Sequence, residues 1–122
     1  MHKFRLGKRS LDNLKGVDDD LVKCVKLAIT LTTIDFTVIE GLRTIERQRE
    51  LFASGKSKTM NSYHLKGHAV DIVPLPVDWN NIDAFIEVSV AMKEAAKMLD
   101  LKLTYGGDWK TFKDYPHYQI EK

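Results

Sequence analysis

Residues 62–74 read SYHLKGHAVDIVP and join a polar loop to an apolar strand. The run at 69–73 is apolar except for its middle residue, Asp71, which predicts a buried strand. A carboxylate in such a strand needs a partner, because an unpaired buried charge is costly. Gly67 permits a turn that folds His64 toward Asp71. The stretch therefore predicts a His64–Asp71 pair, held either by a metal ion or by a direct hydrogen bond.

A second acidic residue and histidine stand near the end of the chain, Asp114 and His117. Two histidines and one carboxylate are a typical ligand set for catalytic zinc, and they leave the fourth position open. A further carboxylate that does not bind the metal can accept the proton of a reacting water. The alternative for Asp114 is a turn-forming residue before Pro116.

The other histidines are less suited to be ligands. His64 and His68 have the spacing of the H-E-x-x-H metalloprotease helix, but Leu65 stands where that motif has Glu, and Gly67 weakens a helix there. We therefore reject this pairing and expect His68 to be a loop side chain. His2 is terminal, and we expect it to take no part.

Composition excludes several classes of protein. The 122 residues suit a single domain over 1–122, and 19 basic against 17 acidic side chains argue against a nucleic-acid binder. No apolar run approaches the roughly 20 residues needed to span a bilayer. The single cysteine, Cys24, excludes a disulfide framework and a Cys-rich zinc finger, and its place on an apolar helical stripe predicts burial.

Helical and strand patterns are mixed without a regular βαβ alternation. This favours an α+β fold, with a small, mainly antiparallel sheet and helices packed on one face. We expect a basic, solvated arm at 3–15 and a functional loop at 54–68. The predicted helices are 18–33, 44–53 and 81–99, and the predicted strands are 36–39, 69–73, 101–105 and 117–120.

The spaced motif S-x-H-x-x-G-x-A-x-D at 62–71, with the later D-x-x-H at 114–117, resembles the D-Ala-D-Ala carboxypeptidase family of zinc peptidases. The segment GLRT at 41–44, followed by Gln48, is similar to an upstream segment of that family. The chain also resembles the phage-lysin branch of that family, the L-alanyl-D-glutamate endopeptidases, at residues 9–17, 55–59 and 106–119. The resemblance covers nearly the whole chain.

The resemblance implies a hedgehog/D,D-peptidase-like fold and zinc-dependent hydrolysis of an amide bond. By the family pattern, His64, Asp71 and His117 hold the zinc. Asp114 is then the general base and later the acid, and Arg43 binds the substrate carbonyl and stabilises the oxyanion. Carboxypeptidase relatives usually carry Glu at the position of Asp114, whereas the lysin branch tolerates Asp, so the chain departs from the former toward the latter.

Several further residues are candidates for supporting roles. Ser62 and Gln48 are expected to shape the loop or to hydrogen-bond residues of the site, with a plain helix-surface position as the alternative for Gln48. Trp109, together with Tyr105 and Tyr118, is expected to wall the cleft, although aromatic residues near strand ends are more often core. Without the family resemblance, Arg43 reads as a surface arginine.

These observations together predict a phage-type endolysin that uses Zn²⁺ to cut the L-alanyl-D-glutamate bond of peptidoglycan. The alternatives are a D,D-carboxypeptidase or D,D-dipeptidase of the same family, and a non-catalytic, zinc-containing wall-binding module. We expect a monomer whose partner is peptidoglycan, with no nucleic acid and no stable membrane insertion. The basic N-terminus is not followed by the apolar segment of a signal peptide. We therefore expect synthesis in the host cytoplasm and release through a membrane hole.

Overall fold

The computed structural model describes residues 3–57 and 59–122, so that His2 and Lys58, part of the 55–59 segment, lie outside the described residues. Short 3-10 helices lie at Tyr63–Lys66 and Gly106–Asp108. The helices are α1 (Lys8–Asn13), α2 (Asp19–Leu31), α3 (Ile45–Ala53) and α4 (Ile82–Met98), and the strands are β1 (Phe36–Glu40), β2 (Ala69–Pro74), β3 (Leu103–Tyr105) and β4 (His117–Ile120).

The four strands form one sheet in the order β1-β2-β4-β3, and every neighbouring pair is antiparallel. The predicted α+β class and antiparallel sheet are confirmed. Because side chains alternate along a strand, Val70 and Ile72 of β2 enter the hydrophobic core while Asp71 projects from the opposite face. Tyr118 and Ile120 of β4 are core residues in the same way, which leaves His117 on the face of Asp71.

Helices α2 and α4 contact each other and share the core with the apolar face of the sheet. Helix α2 begins where the side chain of Asp18 accepts a hydrogen bond from the backbone N–H of Asp20, at 2.9 Å, and satisfies a free helix donor. Cys24 lies in the core, as predicted, and burial raises the pKa of its thiol to about 12. Such a thiol is not a nucleophile at neutral pH. Among the described residues, the helices are all too short or too polar to cross a bilayer.

The N-terminal segment differs from the predicted solvated arm, because it contains α1 and is packed against β1. The hydroxyl of Ser10 accepts from the backbone N–H of Val38 at 2.9 Å and contacts the hydroxyl of Thr37 at 3.1 Å. The side chain of Asn13 donates to the carbonyl of Val38 at 2.8 Å. Polar side chains of α1 thus pair the backbone of an edge strand, which would otherwise be open to another chain.

Other ends of helices and strands differ from the predicted ones for local reasons. Helix α2 ends before the predicted residue 33, because the hydroxyl of Thr32 hydrogen-bonds the backbone of Ile34 and competes with helical pairing. Strand β3 is limited to the last three residues of the predicted 101–105. The expected loop at 54–68 contains the 3-10 helix Tyr63–Lys66, which ends at Gly67 with a positive φ of 72°.

We expect Ser10→Ala to destabilise the protein by about 1–3 kcal/mol, because the buried N–H of Val38 would lose its partner. The measurement is urea-induced unfolding followed by circular dichroism. Ser54→Ala is the matched control, since the exposed hydroxyl of Ser54 donates only to the carbonyl of Leu51 within its own helix turn. Equal unfolding midpoints for the two variants would contradict the role assigned to Ser10.

Candidate metal centre

Asp71 and His117 meet because their strands pair directly. Asp71 of β2 stands opposite His117 of β4, and directly opposed residues of an antiparallel pair project on the same face. The Nδ1 atom of His117 lies 3.4 Å from Oδ1 of Asp71. On the other side of β2, an irregularity in the pairing sets Glu40 of β1 opposite Asp71. The pairing of β2 with β4 therefore brings two of the predicted ligands together.

His64 reaches the same point from the 3-10 helix Tyr63–Lys66. Ser62 caps this helix by accepting a hydrogen bond from the backbone N–H of His64 at 3.2 Å, and the left-handed Gly67 ends it. The imidazole is buried, with Nδ1 2.8 Å from the carbonyl of Gly41 and Nε2 3.3 Å from Oδ1 of Asp71. A carbonyl only accepts, so Nδ1 of His64 carries the proton.

The cluster consequently turns hydrogen-bond acceptors toward one another. With its proton on Nδ1, neutral His64 directs the lone pair of Nε2 at the carboxylate of Asp71. Across 3–57 and 59–122, three buried side-chain atoms have no hydrogen-bond partner, and two of them are Nε2 of His64 and Oδ1 of Asp71. Facing acceptors repel, and either an added proton or a cation relieves this repulsion.

The donor set fits a metal ion. The ligand atoms of His64, Asp71 and His117 all lie within 4.8 Å of one another. Burial opposes ionisation of Asp71, but contacts with His117 and His64 hold the pKa of its carboxyl well below the usual range. Burial likewise lowers the pKa of His117, and the contact with Asp71 outweighs it and raises that pKa. The site thus already attracts positive charge, which a bound metal would supply.

Asp114 lies beside this cluster, across a turn from His117. The backbone N–H of His117 donates to the carbonyl of Asp114 at 3.1 Å, which closes the turn. A side chain on Gly106 would collide with Asp114 and His117, so glycine permits their close approach. Burial raises the pKa of the Asp114 carboxyl, and the negative charge of Asp71 raises it further, against the charges of His117, His64 and Arg43. Asp114 is therefore a better proton acceptor than an exposed aspartate.

Arg43 is not the surface residue that its sequence context alone favours. Its side chain is 8% exposed, and Nε donates to Glu40 at 2.6 Å. Nη1 donates to the side-chain oxygen of Gln48 at 2.7 Å, and Nη2 lies 3.8 Å from Oδ2 of Asp71. The guanidinium of Arg43 therefore places a positive charge next to the carboxylate of Asp71, a candidate metal ligand.

Gln48 connects Arg43 to the loop that follows α3. It is fully buried, so the alternative of a helix-surface position is wrong. Its amide nitrogen donates to the hydroxyl of Ser57 at 2.8 Å and to the carbonyl of Thr59. Ser62, whose hydroxyl is 3.5 Å from Nη1 of Arg43, adds a contact from the other end of the loop. Ser57, Thr59 and Ser62 are thus each held next to the site by Gln48 or Arg43.

The aromatic candidates separate into two groups. The ring of Trp109 is 5.4 Å from that of His117, next to the candidate centre. Tyr105 and Tyr118 stack on each other at 4.7 Å inside the core, so the expectation that they wall the cleft is wrong. Both side chains sit on the apolar face of the sheet, away from Asp71.

Among the histidines of the described part of the chain, His68 lies outside the ligand cluster. Sequence reasoning missed two polar residues that contact the site, Glu40 and Gln119. The side-chain oxygen of Gln119 lies 2.8 Å from Nε2 of His117. The available signal was their strand position, since Gln119 follows His117 by two residues and shares its face.

The fold and the site together define an α+β protein with a candidate metal centre and a carboxyl group of raised pKa beside it. The family model described as phage L-alanyl-D-glutamate peptidase matches residues 2–122, and the chain belongs to this family. The predicted membership of this family is thereby confirmed.

Individual relatives support the same conclusion. The L-alanyl-D-glutamate peptidase of Escherichia phage T5 is 35% identical, over 98% of this chain and 90% of the relative. The peptidoglycan L-alanyl-D-glutamate endopeptidase CwlK of Bacillus subtilis is 33% identical, over 79% of this chain and 66% of the relative. The crystal structure of the L-Ala D-Glu endopeptidase ChiX of Serratia marcescens superposes with a TM-score of 0.92. That chain is 43% identical, and the match covers 98% of this chain and 91% of ChiX.

We expect His64→Ala and His117→Ala each to abolish stoichiometric binding of a divalent metal, because either change removes one of three ligands. The measurement is metal content per chain after dialysis, read by elemental analysis. His68→Ala is the matched control and should keep its metal. Metal loss in His68→Ala alone would show that the wrong histidine has been assigned.

Proposed function

We propose that the protein is a zinc-dependent endopeptidase that hydrolyses the L-alanyl-D-glutamate bond of peptidoglycan stem peptides. The observation that carries this proposal is the cluster of His64, Asp71 and His117, in which Nε2 of His64 and Oδ1 of Asp71 have no hydrogen-bond partner, with the charged carboxyl of Asp114 near it. The bond itself is inferred from the names of the phage T5, CwlK and ChiX relatives.

Zinc suits the ligand set, since two imidazole nitrogens and one carboxylate oxygen are common zinc ligands and leave a position open. When bound there, zinc acts as a Lewis acid toward the scissile carbonyl and makes water more acidic. The protein contributes the orientation of the ligands. The carbonyl of Gly41 holds the imidazole of His64 in its orientation, and Nη2 of Arg43 lies 3.8 Å from Oδ2 of Asp71.

Asp114 is the proposed general base. Its carboxylate accepts a proton from the attacking water and then delivers it to the leaving nitrogen of the D-glutamate residue. The raised pKa of its carboxyl favours the first step, because the group accepts a proton more readily than an exposed aspartate does. The turn to His117 keeps the carboxylate next to the ligand cluster.

Arg43 is the proposed electrostatic element. Its guanidinium is fixed by Glu40 and Gln48, so little reorganisation is needed when negative charge develops on the substrate carbonyl. A planar guanidinium also directs several N–H donors from one position. Trp109 is the proposed wall of the cleft beside His117.

The proposed biological setting follows from the phage family. The protein would act as a monomeric endolysin, made in the host cytoplasm and reaching peptidoglycan after release through a membrane hole. Its partner would be the cell-wall polymer, with neither nucleic acid nor stable membrane insertion involved.

The test is digestion of purified peptidoglycan, followed by mass spectrometry of the soluble products. New N-terminal D-glutamate, lost after chelation and restored by Zn²⁺, is the expected result. Free D-alanine would instead indicate a D,D-carboxypeptidase, and D-alanyl-D-alanine as the substrate cleaved would indicate a D,D-dipeptidase. Wall binding without any cleavage would indicate a non-catalytic module and overturn the proposal.

We expect Asp114→Asn to keep zinc and fold but to lose about 10²–10⁴ in turnover, because an amide cannot accept the proton. Turnover and zinc content are measured on the same preparation. Asp108→Asn is the control, as Asp108 is exposed and pairs with Lys93. Near-normal turnover in Asp114→Asn would remove Asp114 from the mechanism, and loss of zinc would make it a ligand.

We expect Arg43→Ala to lower turnover by about 10²–10³, the usual effect of removing one oxyanion donor. Arg43→Lys should recover only part of this loss, because an ammonium group cannot keep the contacts to both Glu40 and Gln48. Arg47→Ala is the control, since Arg47 is exposed and contacts only Glu50 among the described ion pairs. Full activity in Arg43→Ala would exclude the proposed role.

A further inference from the structure

A chain of side-chain hydrogen bonds leads away from the candidate metal centre to Glu121. Nε2 of His117 lies 2.8 Å from the side-chain oxygen of Gln119, and the amide nitrogen of Gln119 donates to Oε1 of Glu121 at 2.8 Å. His117 and Gln119 alternate along β4 and share the face on which Asp71 lies, and Glu121 follows directly after the strand. The proposed reaction gives none of these contacts a role.

Glu121 sets the donor and acceptor roles in these two hydrogen bonds, between His117 and Gln119 and between Gln119 and Glu121. Its carboxylate also accepts from the hydroxyl of Tyr63 at 2.8 Å and from that of Thr104 at 3.0 Å. The contacts with Gln119 and Tyr63 lower the pKa of the Glu121 carboxyl, so it is ionised at neutral pH and only accepts. Gln119 must therefore turn its NH₂ group toward Glu121 and its oxygen toward His117.

The orientation of this amide determines the tautomer of His117. An amide oxygen only accepts, so Nε2 of the imidazole must carry the proton. In the neutral imidazole, the lone pair of Nδ1 is then directed at Oδ1 of Asp71, 3.4 Å away. If the amide were reversed, its NH₂ group would face Nε2 and favour the proton on Nδ1. In that tautomer, Nδ1 has no lone pair to offer a metal on the side of Asp71.

We propose that Glu121 is a positioning residue for the metal centre, which acts through Gln119 to hold His117 in its metal-binding tautomer. The same carboxylate binds the hydroxyl of Tyr63, the neighbour of His64, so it ties the segments of both ligand histidines together. This inference rests on the proposed metal-dependent function. His64 needs no such partner, because a backbone carbonyl already fixes its tautomer.

The first test is Glu121→Gln, a nearly isosteric change that allows Gln119 to adopt either orientation. Nitrogen-15 NMR of the metal-free protein at alkaline pH, where imidazoles are neutral, reports the tautomer of His117 directly. The wild type should show the proton on Nε2, and the variant a mixture. Zinc affinity, measured by chelator competition, should fall by about 10–100-fold, as for other outer partners of metal ligands. Glu87→Gln is the matched control, because Glu87 accepts from the hydroxyl of Thr33 on the surface.

The second test is rescue by exchange of the two groups. In the double variant Gln119→Glu with Glu121→Gln, the carboxylate stands next to His117 and the amide donates to it from position 121. This arrangement again requires the proton on Nε2, so tautomer and zinc affinity should return toward wild-type values. Net charge is the same as in the wild type, which excludes a general electrostatic explanation.

Three results would overturn the inference. The first is a wild-type His117 with its proton on Nδ1, and the second is a Glu121→Gln variant with unchanged tautomer and affinity. The third is a folded double variant that is not rescued. These results are separate from the failure of the proposed function. A wild type that binds no zinc or cuts no peptidoglycan refutes that function, whereas the NMR measurement on metal-free protein still decides the role of Glu121.

Discussion

The repulsion between acceptor atoms around Oδ1 of Asp71 is the constraint on which the rest of the site depends. A carboxylate oxygen of Asp71 and Nε2 of His64 face each other at 3.3 Å in a buried place, and neither has a hydrogen-bond partner. Such an arrangement is stable only if positive charge enters it. The surrounding contacts, from the carbonyl of Gly41 to the guanidinium of Arg43, keep these atoms in position instead of letting them turn away.

The sequence predicts the parts of this arrangement that are local. The apolar run of β2 with one acidic residue, and the glycine after His64, are visible within a few positions. The pairing of Asp71 with His117 is not, because antiparallel register depends on distant strands. The residue types indicate that the two halves of the site share a metal ion, and the family resemblance implies the same, but neither predicts the register that brings them together.

Polar residues account for most of what the sequence concealed. Helix α1 is six residues long and forms because Ser10 and Asn13 bind the backbone of Val38, a tertiary interaction that leaves no apolar periodicity. Gln48 lies in a helix of polar composition, yet it is buried because Arg43, Ser57 and Thr59 satisfy its amide. Burial of a satisfied polar group costs little, so hydrophobicity patterns do not reveal it.

The direct opposition of Asp71 and His117 has a consequence for folding. A slip of one residue between β2 and β4 would move either side chain to the other face of the sheet. The candidate ligands then could not share an ion, so only chains with native register can bind metal tightly. Metal binding therefore favours correctly paired sheets over misregistered ones, by the ratio of their affinities. The candidate metal centre would thus also favour correct pairing of the strands that carry it.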